Sequence, residues 1–244
     1  MEIELQASKG AWLGNDMDNS SNSVPGSSDV IFIPYVERMN ASLAYFKGFN
    51  MRSEHPAIHT WLESLESLDV YRGTQGDFHT HAHDLPPQMG GCWFNSDPKQ
   101  KQFSLAIDSG EGLGKMEISG STSEKSQKHT PEQIALSRVL KHRNTLIDVN
   151  PLNDNLFDQA LRATLTFLMT DIPCTPSKGS ASGLRYLRDR ISVPRDMPLL
   201  AARKFRQALE KTAQMDGPQQ GPAIETQNRF DQNPAPFVKS NVQS

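Results

Sequence analysis

Cysteine is nearly missing from this chain: Cys92 and Cys174 are the only two in 244 residues. They lie far apart beside loop residues, so there is no disulfide framework and no repeated Cys pair to cage zinc. Such usage implies a reducing compartment. Long hydrophobic runs are missing as well, since no window approaches the ~18 apolar residues of a spanning helix. The N-terminal Met1-Glu2-Ile3-Glu4-Leu5-Gln6 has no basic region leading into an apolar run, so no secretory address is expected there and no membrane partner is called for. Neither sign of charge dominates. The 25 basic and 28 acidic side chains leave a net charge of -3, with a pI near 6.2. Nothing global steers the chain toward nucleic acid, and a small neutral or mildly acidic partner fits better. Apolar residues are only 36 % of the total and mean hydropathy is -0.56. A substantial part of the length is therefore expected outside any core.

What is present is helical periodicity. From Asp29 to Phe46, Val30, Ile33, Val36, Leu43 and Phe46 recur at three and four, with Ile31, Tyr35 and Met39 flanking, which predicts a helix burying one stripe. Gly26 can cap it, with Asp29 placing a carboxylate at the first turn. Pro34 is expected to bend it and Gly48 to end it. His55-Pro56 opens a second helix with Ile58, Trp61, Leu62, Leu65 and Leu68 on its apolar face. The stretch from Asp77 to Gly91, with Pro86-Pro87 and Gly90-Gly91, argues against a long helix, and 95–128 reads as a mobile insert. Thr130-Pro131-Glu132-Gln133 has capping-box spacing and starts a helix carrying Ile134, Leu136, Val139, Leu140 and Leu146. Asn153 caps another with Leu156, Phe157, Ala160, Leu161, Thr164, Leu165 and Leu168. Short helices are expected near 184–191 and 198–215. The fold class is all-α. Residues 1–28 read as a remnant and flexible loop, 29–94 as a partial helical domain with a His-rich loop, 129–215 as a helical extension, and 216–244 as a disordered tail. Trp12, between Gly10 and Gly14, reads as a docking anchor.

The run Ser28-Asp29-Val30-Ile31-Phe32-Ile33-Pro34-Tyr35-Val36-Glu37-Arg38, followed by His55-Pro56-x-Ile58-x-x-Trp61-Leu62, resembles the sixth and seventh helices of the glutathione transferase C-terminal domain. Trp12-Leu13-Gly14 is similar to the short loop that precedes the sixth helix in that family, although the usual Ser or Thr cap is Gly26 here. Tyr71-Arg72-Gly73-Thr74-Gln75, the segment Asp77 to Gln88, Leu140-Lys141-His142-Arg143 and Leu184 to Met197 resemble an extended branch of the family found in photosynthetic organisms. The resemblance implies glutathione-dependent transfer in a full-length protein. There a thioredoxin-like half cradles glutathione, a co-substrate, and supplies the activating Ser, Cys or Tyr. The helical half walls in a small electrophilic substrate. No β-α-β pattern occurs early in this sequence, so the expectation is a chain without that half, with no catalytic residue or cofactor of its own, inactive alone and partnered by a thioredoxin-like domain or another subunit. Tyr35, Arg38 and Tyr45 would lie on the helix facing the substrate cleft. The compartment implied is the cytoplasm, with a plastid as the alternative for a full-length form.

The other class of reading is a non-enzymatic interaction or metal-binding module. His79, His81 and His83 sit two apart beside Asp77 and Asp84, so an extended segment would project three imidazoles from one side toward a metal. The competing reading is a polar loop whose histidines bond backbone carbonyls. Cys92 beside Gly90-Gly91 is either a thiol activated by exposed N–H groups or a small apolar side chain under Trp93. Ser177 to Ser182 lacks Walker spacing and a preceding strand, which rejects a phosphate loop. Arg185, Arg188, Arg190, Arg195, Arg203 and Arg206 interleave with Asp189, Asp196 and Glu210, and read as solvated helix faces.

Overall fold

The computed structural model describes residues 1–8, 11–13, 24–113 and 129–218, and these residues form helices with no strand among them. The expectations for most of the Ser/Asn-rich loop, for 114–128 and for 219–244 lie outside the described residues. Among the described residues no helix is long and apolar enough to cross a membrane. The chain divides into two compact units, Met1–Lys128 with Val193–Leu199, and His129–Ser192 with Leu200–Ser244.

The first unit contains α1 (Glu2–Ala7), α2 (Ser27–Ser42), a π-helical turn (Leu43–Lys47), α3 (Met51–Glu54), α4 (Pro56–Glu66), α5 (Asp69–Thr74), α6 (Phe78–Met89) and α7 (Pro98–Asp108). α4 starts where Pro56 needs no N–H partner, and the open N–H groups of Ala57 and Ile58 are taken by the Glu2 carboxylate at 3.1 and 3.0 Å. Its Ile58, Trp61, Leu62 and Leu65 are buried against Trp12, Ile33 and Val36, each worth about 1.5–3 kcal/mol of burial. Trp12, read as a docking anchor, packs into this core.

α2 continues through Pro34, and its buried stripe is Ile33, Val36, Asn40 and Ala41. Val30 lies outside this stripe. It is exposed together with Ile31, Phe32, Tyr35 and Met39, and the buried stripe starts one residue earlier than expected, at Asp29. The N-terminus of α2 is organised by Asp29, which is fully buried and accepts from Gly26 N at 2.8 Å, Leu13 N at 2.9 Å and Trp61 Nε1 at 2.6 Å. Glycine has no side chain to return the cap, so one carboxylate performs the capping and also fixes α4 and the Trp12 loop.

A second cluster in this unit joins Ala41, Ala44, Tyr45, Phe46, Phe78, Ala82 and Ile107. Gly48 ends the π turn in the left-handed region at φ 68°, and a Cβ there would lie 2.7 Å from the backbone N of Gln100. The turn and α7 thus approach backbone to backbone. Gln100 Nε2 also donates to the Tyr45 carbonyl at 2.8 Å.

The second unit holds α8 (Pro131–Val149), α9 (Asp154–Thr170), α10 (Ala181–Arg188) and α11 (Leu199–Asp216, from its second residue on). The α8 cap is reciprocal, Thr130 Oγ1 accepting from Gln133 N and Gln133 Oε1 from Thr130 N. α8 buries Ala135 and Val139 and leaves Leu140 exposed, whereas α9 buries Phe157, Ala160, Leu161, Thr164 and Leu165. Arg185, Arg188 and Arg206 are buried, contrary to the solvated face expected of them. Glu210 explains the first two: its carboxylate accepts from Arg185 Nε and Nη2, both at 3.1 Å, and from Arg188 Nη1. Arg188 Nε also bonds Asp189 at 2.7 Å, and Arg206 Nη2 donates to the Ile191 carbonyl at 2.6 Å.

Candidate functional site

Within the segment from Asp77 to Gly91, Phe78–Met89 form a helix, not the broken or extended stretch its prolines and glycines suggest. Asp77 caps α6 by accepting from Thr80 N at 2.9 Å, and Gly90 closes it in the left-handed conformation at φ 75°. Pro86 and Pro87 remove donors only in the last turns. The burial of Phe78, His79, Ala82 and His83 on one face outweighs that loss. Thr80 Oγ1 accepts from Val193 N at 3.0 Å within the first unit.

Helical geometry re-sorts the three histidines. Residues four apart lie about 40° apart around the axis and residues two apart about 160°, so His79 and His83 share a face while His81 leaves it. The rings of His79 and His83 are 4.3 Å apart between centroids. His81 instead sits over Gly76, where a Cβ would come within 2.4 Å of Nε2, and lies 3.7 Å from Glu37 Oε2.

The third member of the cluster was not anticipated. α7 falls inside the expected mobile insert, capped by Asp97, which accepts from Gln100 N at 2.8 Å, with Pro98 at the first helical position. Its last residue, Asp108, presents Oδ1 to His83 Nε2 at 2.7 Å and accepts from the Tyr45 hydroxyl at Oδ2, 3.0 Å. The Tyr45 and His83 rings meet edge-on at 5.1 Å. Donor atoms of His79, His83 and Asp108 lie within 4.8 Å of one another, the one such group among the described residues. Both histidines are buried and the Asp108 side chain keeps 14 % of its surface. Two imidazoles and a carboxylate facing one another can hold a divalent ion, or relay hydrogen bonds between helices.

The residues expected to face a substrate cleft are dispersed. Tyr35 is 70 % exposed, Arg38 Nη2 donates to Gln88 Oε1, and Tyr45 is buried with Asp108. A small polar pocket lies beside α2, lined by Glu37, Asn40, Arg52, Tyr71, Gln75 and His81. Burial, then the neighbouring Glu37 carboxylate that accepts its hydrogen bond, pushes the Tyr71 hydroxyl far above the usual phenol range. Two of the pocket's lining residues, Arg52 and Gln75, both bond the buried Glu66 carboxylate, Gln75 Nε2 at 2.9 Å.

Cys92 packs at the edge of the second cluster, and burial raises its thiol despite the nearby Lys47, which is the opposite of activation. In the second unit, the N–H groups of Gly179 and Ala181 are occupied by the Asp216 carboxylate at 2.9 and 2.8 Å, so that turn is filled from within the chain. Comparison with protein-family models, with curated proteins and with solved structures finds no match to this chain.

Proposed function

We propose that this chain acts as the helical half of a glutathione-transferase-like protein, walling in an electrophile while a thioredoxin-like domain or subunit supplies glutathione and its activating group. The observation that carries the reading is the buried Asp29 carboxylate. It ties the α2 N-terminus, the Trp12-Leu13 loop and Trp61 of α4 into one knot, at the residues on which the resemblance rests. A second feature is consistent with it: Ile31, Phe32, Tyr35 and Met39 leave an apolar row on α2 open to solvent, a face suited to a second body. The described residues hold no strand, so the glutathione cradle comes from outside them.

The chemistry assigned to the assembly is attack of the glutathione thiolate on an electrophilic carbon, forming a C–S bond as the leaving group departs with its electron pair. The helical half contributes orientation and exclusion of water, not a reacting group. The test is fusion of the chain to a glutathione-binding thioredoxin-like half, followed by turnover of chlorodinitrobenzene. Turnover by the fusion well above that of either part supports the reading. Turnover by the chain alone, or no gain from a fusion whose circular dichroism is that of two folded parts, overturns it.

A further inference from the structure

The geometry points to a divalent transition-metal site at His79, His83 and Asp108, with zinc as the fitting ion and water as the fourth ligand. It is independent of the glutathione reading. Ligand chemistry comes first: two imidazole nitrogens and one carboxylate oxygen suit zinc and its neighbours, whereas calcium and magnesium call for sets of oxygen. Spacing comes second. Histidines four apart on one helix present two nitrogens on one face, as in the paired-histidine helices of zinc enzymes, and the carboxylate arrives from α7.

The distances need modest change. Zinc bonds of about 2.0–2.2 Å in a tetrahedron separate neighbouring ligand atoms by roughly 3.3–3.6 Å. The present separations run from 2.7 Å for His83 Nε2 to Asp108 Oδ1 up to at most 4.8 Å within the group. One contact opens by under ~1 Å and the widest closes by somewhat more, within reach of small side-chain rotations. The surroundings favour this over a loose surface cluster. Tyr45 holds Oδ2 of Asp108, leaving Oδ1 as the ligand oxygen, the orienting bond that metal-binding carboxylates have. Phe78, Ala82 and Ile107 are buried with Tyr45 in one apolar cluster, and the Asp108 side chain keeps 14 % of its surface. Three protein ligands leave a coordination position open.

Calorimetric titration of the whole chain with zinc, and with cobalt as a visible reporter, tests the site. One equivalent of zinc should bind with micromolar or tighter affinity, calcium should not compete, and cobalt should develop the strong visible absorption of a tetrahedral ion. His79→Gln and Asp108→Asn should each weaken zinc by on the order of 100-fold or more, and Tyr45→Phe by about 10-fold. His81→Gln should change nothing. The Asn variant keeps the carboxylate's shape and a hydrogen-bonding oxygen, so its helix content is expected to match the parent even where a histidine variant unfolds. No saturable binding overturns the site and leaves a hydrogen-bonded relay. Binding that survives both His79→Gln and Asp108→Asn, or that His81→Gln abolishes, overturns it equally.

Discussion

Glu210→Ala should destabilise the second unit severely. The carboxylate receives Arg185 Nε and Nη2 at 3.1 Å, Arg188 Nη1 and, at its outer edge, Gln214 Nε2 at 3.1 Å, and Arg185, Arg188 and Glu210 are themselves buried. Truncation strands two guanidinium groups unequally. Arg188 keeps Asp189 at 2.7 Å, while Arg185 keeps, among the described residues, a neutral carbonyl, that of Gly217 at 3.0 Å. The cost of breaking such a pair is about 3–5 kcal/mol, because the surviving charge stays buried without its counter-charge. For a unit of this size each kcal/mol moves the midpoint by roughly 4–8 °C, so thermal unfolding by far-ultraviolet circular dichroism should shift down by on the order of 12 °C or more. Trp12, Trp61 and Trp93 all lie in the first unit, so their fluorescence reports that unit. Replacing Arg185 and Glu210 together by leucine should recover most of the loss, since a well-packed apolar pair avoids the desolvation. A loss below ~1 kcal/mol for Glu210→Ala would refute the reasoning, because that is the scale of an exposed ion pair.

Acid should weaken the second unit. Burial works against ionisation of Glu132, Asp158 and Asp216, yet all three carboxyls lie below their ordinary values. Hydrogen bonds from its own backbone N–H, Thr130 and Lys204 hold Glu132 there, those from Arg143 and Arg162 hold Asp158, and those from the backbone of Ala181, Gly179 and Ser180 hold Asp216. A depressed folded value means the unfolded chain takes up protons first. The contribution is therefore present above about pH 4, and is lost as pH falls through the folded values. The urea midpoint by circular dichroism should stay level down to about pH 5 and then drop, and a midpoint that rises on acidification would contradict this. Gly48→Ala should loosen α7 from the π turn, since the new Cβ meets the Gln100 backbone at 2.7 Å and the site has φ 68°. Amide exchange across α7 should quicken, and unchanged exchange would count against the close approach.

Where sequence and structure agree, local signals and burial coincide. Pro56 at the first turn and Ile58, Trp61, Leu62 and Leu65 at helical spacing define α4 without reference to any other segment, and α9 is equally self-declared. The failures have one physical source, which is that depth and partners are tertiary. Arg185 and Arg188 look like solvent-facing charges until Glu210, more than twenty residues on, is brought against them. The His79-His81-His83 alternation suggests a strand face, but the Asp77 cap and the apolar positions Phe78, Ala82 and Leu85 follow helical spacing and decide the outcome. Asp108 stands 25 residues from His83, in a segment whose polarity hides a helix. The legible signal was Asp97-Pro98, a cap followed by a first-turn proline. Glu2 is similar: a short terminal helix gives no hint that its carboxylate will cap α4.

The first unit, and the glutathione-transferase-like reading with it, depends on Asp29 holding Trp61. Proton exchange at the three indole N–H groups, followed by nuclear magnetic resonance, measures that bond directly. The Trp61 indole, donating to Asp29 at 2.6 Å, should exchange far more slowly than that of Trp93, whose side chain stands in solvent at 80 % exposure. Asp29→Asn should sharply reduce the difference. A Trp61 indole proton that exchanges as fast as that of Trp93 in the parent chain would contradict the Asp29 knot.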